Sequence, residues 1–297
     1  MSVDDPQVPW TDEQWTRVNQ VIQEEASRAR VAATFLPLYG PLPGSTDFVR
    51  REVITYPASP APPPAQRIEI ADRDTIQLAT LQVRVRVRSA QMADPEMRSV
   101  LALFRRAANV LARLEDAVIF RGLISPAPPA VVPAGGAPPP VWEIHGGQVS
   151  DGLLLAAGSV VVPVPPLPGG PPVRPDLVAA VSAAIGVLEG SGHFGPFAVV
   201  LGQGYYTEVQ TPRAAGFVLP QDQIIPFLGG GPLLRSSTLP ANNGVMVALG
   251  GVPVELVVAA DMSLQFLQVT QEPMYVFRVR ERMALRIKEA DAIATLV

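Results

Sequence analysis

The chain has 297 residues, 48% of them hydrophobic and 17% charged, which gives it apolar mass for a large core or for surfaces hidden against other chains. A net charge of −4 argues against a nucleic-acid binder, and the absence of cysteine excludes disulfides, thiolate catalysis and cysteine-ligated metals. The N-terminal stretch has no apolar signal core, and the uncharged run 152–173 is broken by Pro163, Pro165, Pro166 and Pro168, so a soluble cytoplasmic protein is expected.

Thr11-Asp12-Glu13-Gln14 has the form of a capping box, and Trp15, Val18, Ile22, Ala26, Ala29 and Ala33 follow at helical spacing. PLYGPLPG (37–44) ends this first helix. Residues 47–88 read as strands: REVITY, a rigid PASPAPPPA turn, then RIEIADRDTIQL and LQVRVRVR with period-two alternation. Charge on both faces suggests a long two-stranded arm that projects from the body. In LQVRVRVR, Arg84, Arg86 and Arg88 share one face and Val83, Val85 and Val87 the other, as in a half-buried strand with a wet face.

Asp94-Pro95-Glu96 has the composition of a helix start, and an apolar stripe runs from Met97 through Val100, Leu101, Phe104, Ala108, Leu111 and Leu114 to Val118. Gly122 closes this helix, at about 39 Å long for a globular domain. Residues 124–175 turn proline-dense and low in charge, as connectors or surface loops do. A second helix is expected at 176–188 and a buried-type strand at 197–201. After loops to about Pro240, the chain returns to short strands: GVMVALG, VPVELVVA, MSLQFLQV, then YVFRVRERMALRI as two.

No constellation for chemistry emerges. The only histidines, His145 and His193, have no partner at ligand spacing, which argues against a metal site and excludes a Ser-His-Asp triad unless one of the two supplies the base. LGQGYYTEV and LGGGPLL lack the residues that cradle phosphates and read as turns. Glu115 and Asp116 form the one acid pair in a marked position, yet neighbours on a helix point about 100° apart and cannot face one substrate. Asp116 falls on a polar ridge with Arg106, Asn109 and Arg113, whereas Glu115 lies at the edge of the buried stripe and needs a cation or backbone donors.

Several stretches in order resemble the encapsulins, nanocompartment shell proteins also called linocin-type bacteriocins. PWTDEQWTRVNQVIQEEASRA is similar to that family's N-terminal helix, YGPLPG to its Gly-Pro turn, and LEDAVIFRG to its E-D-x-x-I-F-x-G signature, here Glu115, Asp116, Ile119, Phe120 and Gly122. GHFGPFAVVLG, AAGFVLPQDQIIPFLGGG, DMSLQFLQ and FRVRERMALRI resemble later segments. The resemblance implies an α+β, phage major-capsid fold of the Hong Kong 97 type. It implies a peripheral domain from 1–46, 81–124 and 239–297, an extended loop arm at 47–80 that clamps a neighbour, and an axial domain at 125–238 carrying a proline-rich insertion at 126–150.

The function so implied is non-enzymatic and needs no cofactor: a homo-oligomeric icosahedral shell enclosing a cargo enzyme with a C-terminal targeting peptide, with neither nucleic acid nor membrane as partner. A phage or prophage capsid protein is the alternative, and a hydrolase or bacteriocin a remote one. The family's Arg and Asp beside the cargo groove fall here on Ala33 and Pro37. Docking would then rest on an apolar surface of Phe35, Leu36 and Leu38 with Trp15 and Ile22. The resemblance also places a five-fold pore loop at Thr211, Pro212, Arg213, Ala214, Ala215, Gly216, Phe217, Val218 and Leu219.

Overall fold

The computed structural model describes residues 8–55, 68–123, 141–167, 174–212, 218–272 and 274–297. PASPAPPPA, residues 126–140 of the proline-rich insertion and residues 213–217 of the expected pore loop lie outside them.

Helix α1 spans Asp12–Ala29, and its capping box forms as expected: Thr11 Oγ1 accepts from Gln14 N–H while the Gln14 side chain accepts from Thr11 N–H. Its inward face seats Trp15 in an aromatic cluster where Trp10 stacks on Phe277 at 4.9 Å, with Phe104 and Phe266 edge-on to Phe277. Strand β1 (Leu38–Tyr39) follows. The arm comprises two short ladders, β2 (Phe48–Arg50) with β5 (Thr75–Gln77) and β3 (Val53–Thr55) with β4 (Glu69–Ala71).

Strand β6 (Ala79–Arg88) does not belong to the arm. Its valines are buried against the helices, so it serves as a central strand of the body. After the four-residue α2 (Ser89–Met92), the spine helix α3 runs Arg98–Arg121. It starts later than Asp94-Pro95 suggests. Met97 caps it in a left-handed conformation, and the Asp94 carboxylate accepts the N–H groups of Glu96 and Arg98 from the turn before. The 24 residues give a length of about 36 Å.

Gly122 ends α3 at φ 81°, where a Cβ would lie 1.8 Å from the Ser150 carbonyl oxygen. Only glycine permits the chain at Ser150–Gly152 to cross the helix end that closely.

Then come β7 (Trp142–Gly146), β8 (Val160–Val162), α4 (Leu177–Gly190, capped by Asp176), β9 (Phe197–Leu201), α5 (Gln203–Val209), α6 (Pro220–Ile224), β10 (Leu233–Arg235) and β11 (Gly244–Ala248). The chain closes with β12 (Val254–Val269), β13 (Met274–Ile287) and β14 (Ile293–Leu296). VPVELVVA and MSLQFLQV are thus one strand, and YVFRVRERMALRI is one strand rather than two. Register shifts in the β12–β13 ladder carry the chain through the polar Asp261-Met262-Ser263 stretch that looked like a break.

Two five-stranded sheets result, ordered β1-β12-β13-β6-β7 and β10-β9-β11-β14-β8. The first packs α1 and α3 on one face; the second holds α4, α5 and α6. Strand β9 is buried on both sides, Ala198 and Val200 in the first core and Phe197, Val199 and Leu201 in the second, which explains its unbroken apolar run.

The sheets do not divide at 238/239. Strands β11 and β14 from the C-terminal segment join the second sheet, and β7, expected in the axial part, is an edge strand of the first. Sheet membership is set by pairing across the fold, which the sequential boundaries of 125–238 and 239–297 could not capture.

Candidate functional site

The acid pair lies at the centre of the first core. Glu115 and Asp116 are 0% and 2% exposed, so the polar ridge expected for Asp116 does not exist. Helix α1 and the turn after it cover that side of α3, and contacts from another element are what its own helical spacing cannot register.

Asp116 serves the backbone. Its carboxylate accepts the N–H of Val31 (3.1 and 3.0 Å to the two oxygens) and of Ala32 (2.8 Å), the donors left bare at the start of the short 3-10 turn Ala32–Thr34 that follows α1. Glu115 serves Arg30. Arg30 Nε donates to Glu115 Oε2 at 2.5 Å, and its Nη2 donates to Glu281 Oε1 and Asp261 Oδ1, both at 2.8 Å. One guanidinium therefore ties together the end of α1, the spine helix and strands β12 and β13. Arg121, exposed beyond the cluster, takes no part in it.

Glu115 Oε1 and Glu281 Oε2 are buried without a donor. Three carboxylates around one cation leave the cluster over-acidic, and burial raises the cost of each charge. Burial lifts Glu115 from 4.5 to about 7 against the pull of Arg30, with Asp116 adding repulsion. Asp116 rises from 3.8 to about 7 through burial, opposed by the N–H groups of Ala32 and Val31. Glu281, fully buried beside Glu115, is pushed well above the usual carboxylate range, first by burial and then by that neighbour. For Arg30, burial lowers the value, but Glu281, Glu115 and Asp261 more than offset it and hold the guanidinium protonated. A proton retained by the Glu281–Glu115 pair would supply the missing donor.

Ile119 and Phe120 are fully buried, and Gly122 caps the helix, so the five signature residues form one structural unit. The expected docking residues behave differently. Trp15, Ile22, Phe35 and Leu36 are committed to the subunit's own core and offer no surface, whereas Leu38 is 60% exposed. The apolar side chains that mark this stretch in sequence build the wall beneath the surface. Of the expected pore loop, Thr211 donates its hydroxyl to Thr207 O just past α5, Val218 is exposed and Leu219 caps α6.

Arg30, Asp261 and Glu281 were not legible as a cluster, since 85 to 251 positions separate Arg30 from its acid partners. A local signal did exist for Glu281: it takes an inward position in the alternation Phe277, Val279, Glu281, Met283, where an unpaired acid would not be stable. Among the described residues no group of three candidate ligands could hold a metal ion, and no helix is long and apolar enough to cross a membrane.

A family model described as "Encapsulating protein for peroxidase", of the linocin type, matches residues 2–136 and 145–284. The chain belongs to the encapsulin family. This family is one of structural shell proteins. Over 298 aligned positions the chain is 27% identical to the type 1 encapsulin shell protein EncA of Myxococcus xanthus (strain DK1622), covering 97% of this chain and 93% of that protein.

Among solved structures, the virus-like particle from Pyrococcus furiosus superposes with a TM-score of 0.65 at 15% identity, covering 96% of this chain and 100% of that one. The Mycobacterium phage Bobi structure gives 0.59 at 14% identity, covering 91% and 90%. At such identities these likenesses concern the fold, which is the phage capsid fold of the Hong Kong 97 type. The stretch read in sequence as a family signature falls on this buried junction: Glu115 holds Arg30, and Asp116 holds the backbone of Val31 and Ala32 just after it.

Proposed function

We propose that this protein is the subunit of a closed icosahedral compartment that encloses a peroxidase-type cargo enzyme, recruited by a C-terminal targeting peptide. The observation that carries the reading is a family match running along nearly the whole chain, whose model is described as encapsulating a peroxidase. The arm agrees with it. Residues 68–75 are exposed throughout, with Ile68 at 77% and Ile70 at 61%, so the arm reaches beyond the body's own core as a clamp on a neighbour must.

In this reading the first sheet with α1 and α3 is the peripheral part, and the second sheet with α4 to α6 gathers at the symmetry axes. Thr211 and Pro212 after α5, and Val218 and Leu219 before α6, belong to the loop that lines the five-fold pore. Cargo docks beside the turn held by Asp116, with Leu38 as the exposed apolar contact and the buried Trp15, Ile22, Phe35 and Leu36 as its support.

Co-expression with a peroxidase carrying or lacking its C-terminal tail tests the function. Uniform hollow particles that retain the tailed enzyme and exclude the truncated one are expected. Particles filled with nucleic acid would instead make the chain a viral capsid protein, and a monomer that turns over substrate would end the shell reading.

A further inference from the structure

The first sheet has a second face, away from the helices. In the β6–β13 ladder Arg84 stands opposite Arg278, Arg86 opposite Val276, Arg88 opposite Met274 and Gln82 opposite Arg280. Facing residues in an antiparallel ladder project to the same side, so Arg84, Arg86, Arg88, Arg278 and Arg280 form one cationic surface. Val83, Val85, Val87, Phe277 and Val279 take the other side and fill the core. Five arginines on one face of a chain with net charge −4 concentrate its positive charge here.

This surface is poorly matched within the chain. Of these arginines Glu143 reaches only Arg84, at 3.1 Å and largely exposed, where an ion pair is worth little, and it shares that oxygen with Gln82 and His145. Arg278 is held by the neutral side chains of Gln265 and Gln82. The Arg280 Nε is buried without a partner, and no ion pair among the described residues reaches Arg86 or Arg88.

Further along the same face of β13 the situation reverses. Arg282 pairs with Asp47 and donates to Gly44 O, while Arg286, held first by Glu255 of β12, also pairs with Glu52 at 3.2 Å and donates to Arg50 O. The base of the chain's own arm thus already covers one end of the arginine face with carboxylates and backbone carbonyls.

The arm also carries the complementary segment. Residues 68–75, IEIADRDT, are exposed along their whole length and place Glu69, Asp72 and Asp74 against a single cation, Arg73. Strand β4 ends at Ala71 and the chain bends at Arg73, so Asp72 and Asp74 flank the turn into β5. Among the described residues Asp72 meets only Arg50 of its own arm, at 2.7 Å and largely exposed, where an ion pair is worth little. Within one chain, β4 is held in its ladder with Val53–Thr55 and nothing covers it.

We propose that the open half of the arginine face, Arg84, Arg86, Arg88, Arg278 and Arg280, receives the acidic segment 69–74, strand β4 and the turn after it, of a second copy's arm. The proposal rests on the shell reading and specifies the contact: the subunit-to-subunit clamp is ionic, continuing the pattern that Asp47 and Glu52 begin within each subunit.

A charge swap tests it. Arg84→Glu, Arg86→Glu and Arg88→Glu together are expected to raise the subunit concentration needed for half-assembly at least about tenfold, as are Glu69→Arg, Asp72→Arg and Asp74→Arg together, while each variant melts as a folded subunit. All six exchanges in one chain should restore particles by light scattering and negative-stain imaging.

The milder Arg86→Ser with Arg88→Ser, which changes only exposed side chains, should weaken assembly in the same direction if the triple variant fails to fold. Wild-type assembly at low protein concentration should fall as salt rises from 0.1 to 1 M, over which the screening length shrinks from about 10 to about 3 Å. Normal assembly of the serine variant and both triple variants overturns the proposal, as does a six-fold exchange that stays dissociated although folded. So does an arginine variant that keeps its particles but loses co-purifying nucleic acid. A wild-type chain that never assembles instead overturns the shell reading beneath it.

Discussion

Raising the pH from 5 to 8 removes the proton shared by Glu115 and Glu281 and leaves Arg30 facing three ionised carboxylates. The sign follows from the direction of the shifts. Both carboxyls titrate above their ordinary value in the folded chain, so the fold binds that proton more tightly than the unfolded chain does.

The associated stability is fully present below about pH 4.5. It declines as pH rises and is gone once the folded value is passed. With Glu115 moved from 4.5 to about 7, one such proton accounts for about 2–3 kcal/mol between pH 5 and pH 8, or about 3–5 °C in melting temperature for a chain of this size. Asp116 shifts the same way and adds to the slope.

Differential scanning fluorimetry across that range measures the effect. Glu281→Gln offers Glu115 a permanent N–H donor with no proton to lose, so its melting curve should flatten and cross above the wild type near pH 8. Glu115→Gln should flatten the profile as well. A wild-type melting temperature that holds constant from pH 5 to 8, or both glutamine variants keeping the wild-type slope, would refute the shared proton.

Asp116→Ala strips the N–H groups of Val31 and Ala32 of their acceptor and should cost about 2–4 kcal/mol, read as a lowered melting temperature that Asp116→Asn partly restores. Gly122→Ala drives a methyl group into the Ser150 carbonyl and should yield insoluble protein or a loss of about 3 kcal/mol or more by thermal melting. Phe277→Ala empties the centre of the cluster of Trp10, Trp15, Phe104 and Phe266, with an expected loss of about 3–5 kcal/mol and a red shift of tryptophan emission. Leu38→Asp should leave particle formation unchanged and lower retention of tailed cargo, measured as cargo per shell on a gel.

What the sequence carried was local. The Thr11–Gln14 capping box, the stop at Gly122 and the alternation of valine and arginine in β6 each depend on neighbours within a few residues, and all three are present in the fold. The failures share a physical origin in contacts from elsewhere. Asp116 looked solvated because its own helix presents polar neighbours there, yet the backbone at Val31 and Ala32 closes over it. Phe35 and Leu36 were expected at a docking surface from the family resemblance, yet they fill the core. Strands β12 and β13 looked like shorter pieces because polar residues interrupt them, and the register shifts that absorb the interruption in β12 appear only once the two strands pair. Glu281 was the exception, an acid on the apolar parity of its strand whose partner could have been sought.

Negative-stain imaging and light scattering of the purified chain, with absorbance read at 260 and 280 nm, test the central claim most directly. The account predicts closed, hollow particles of uniform diameter whose spectrum is that of protein alone. A monodisperse monomer or small oligomer at the same concentration would contradict it.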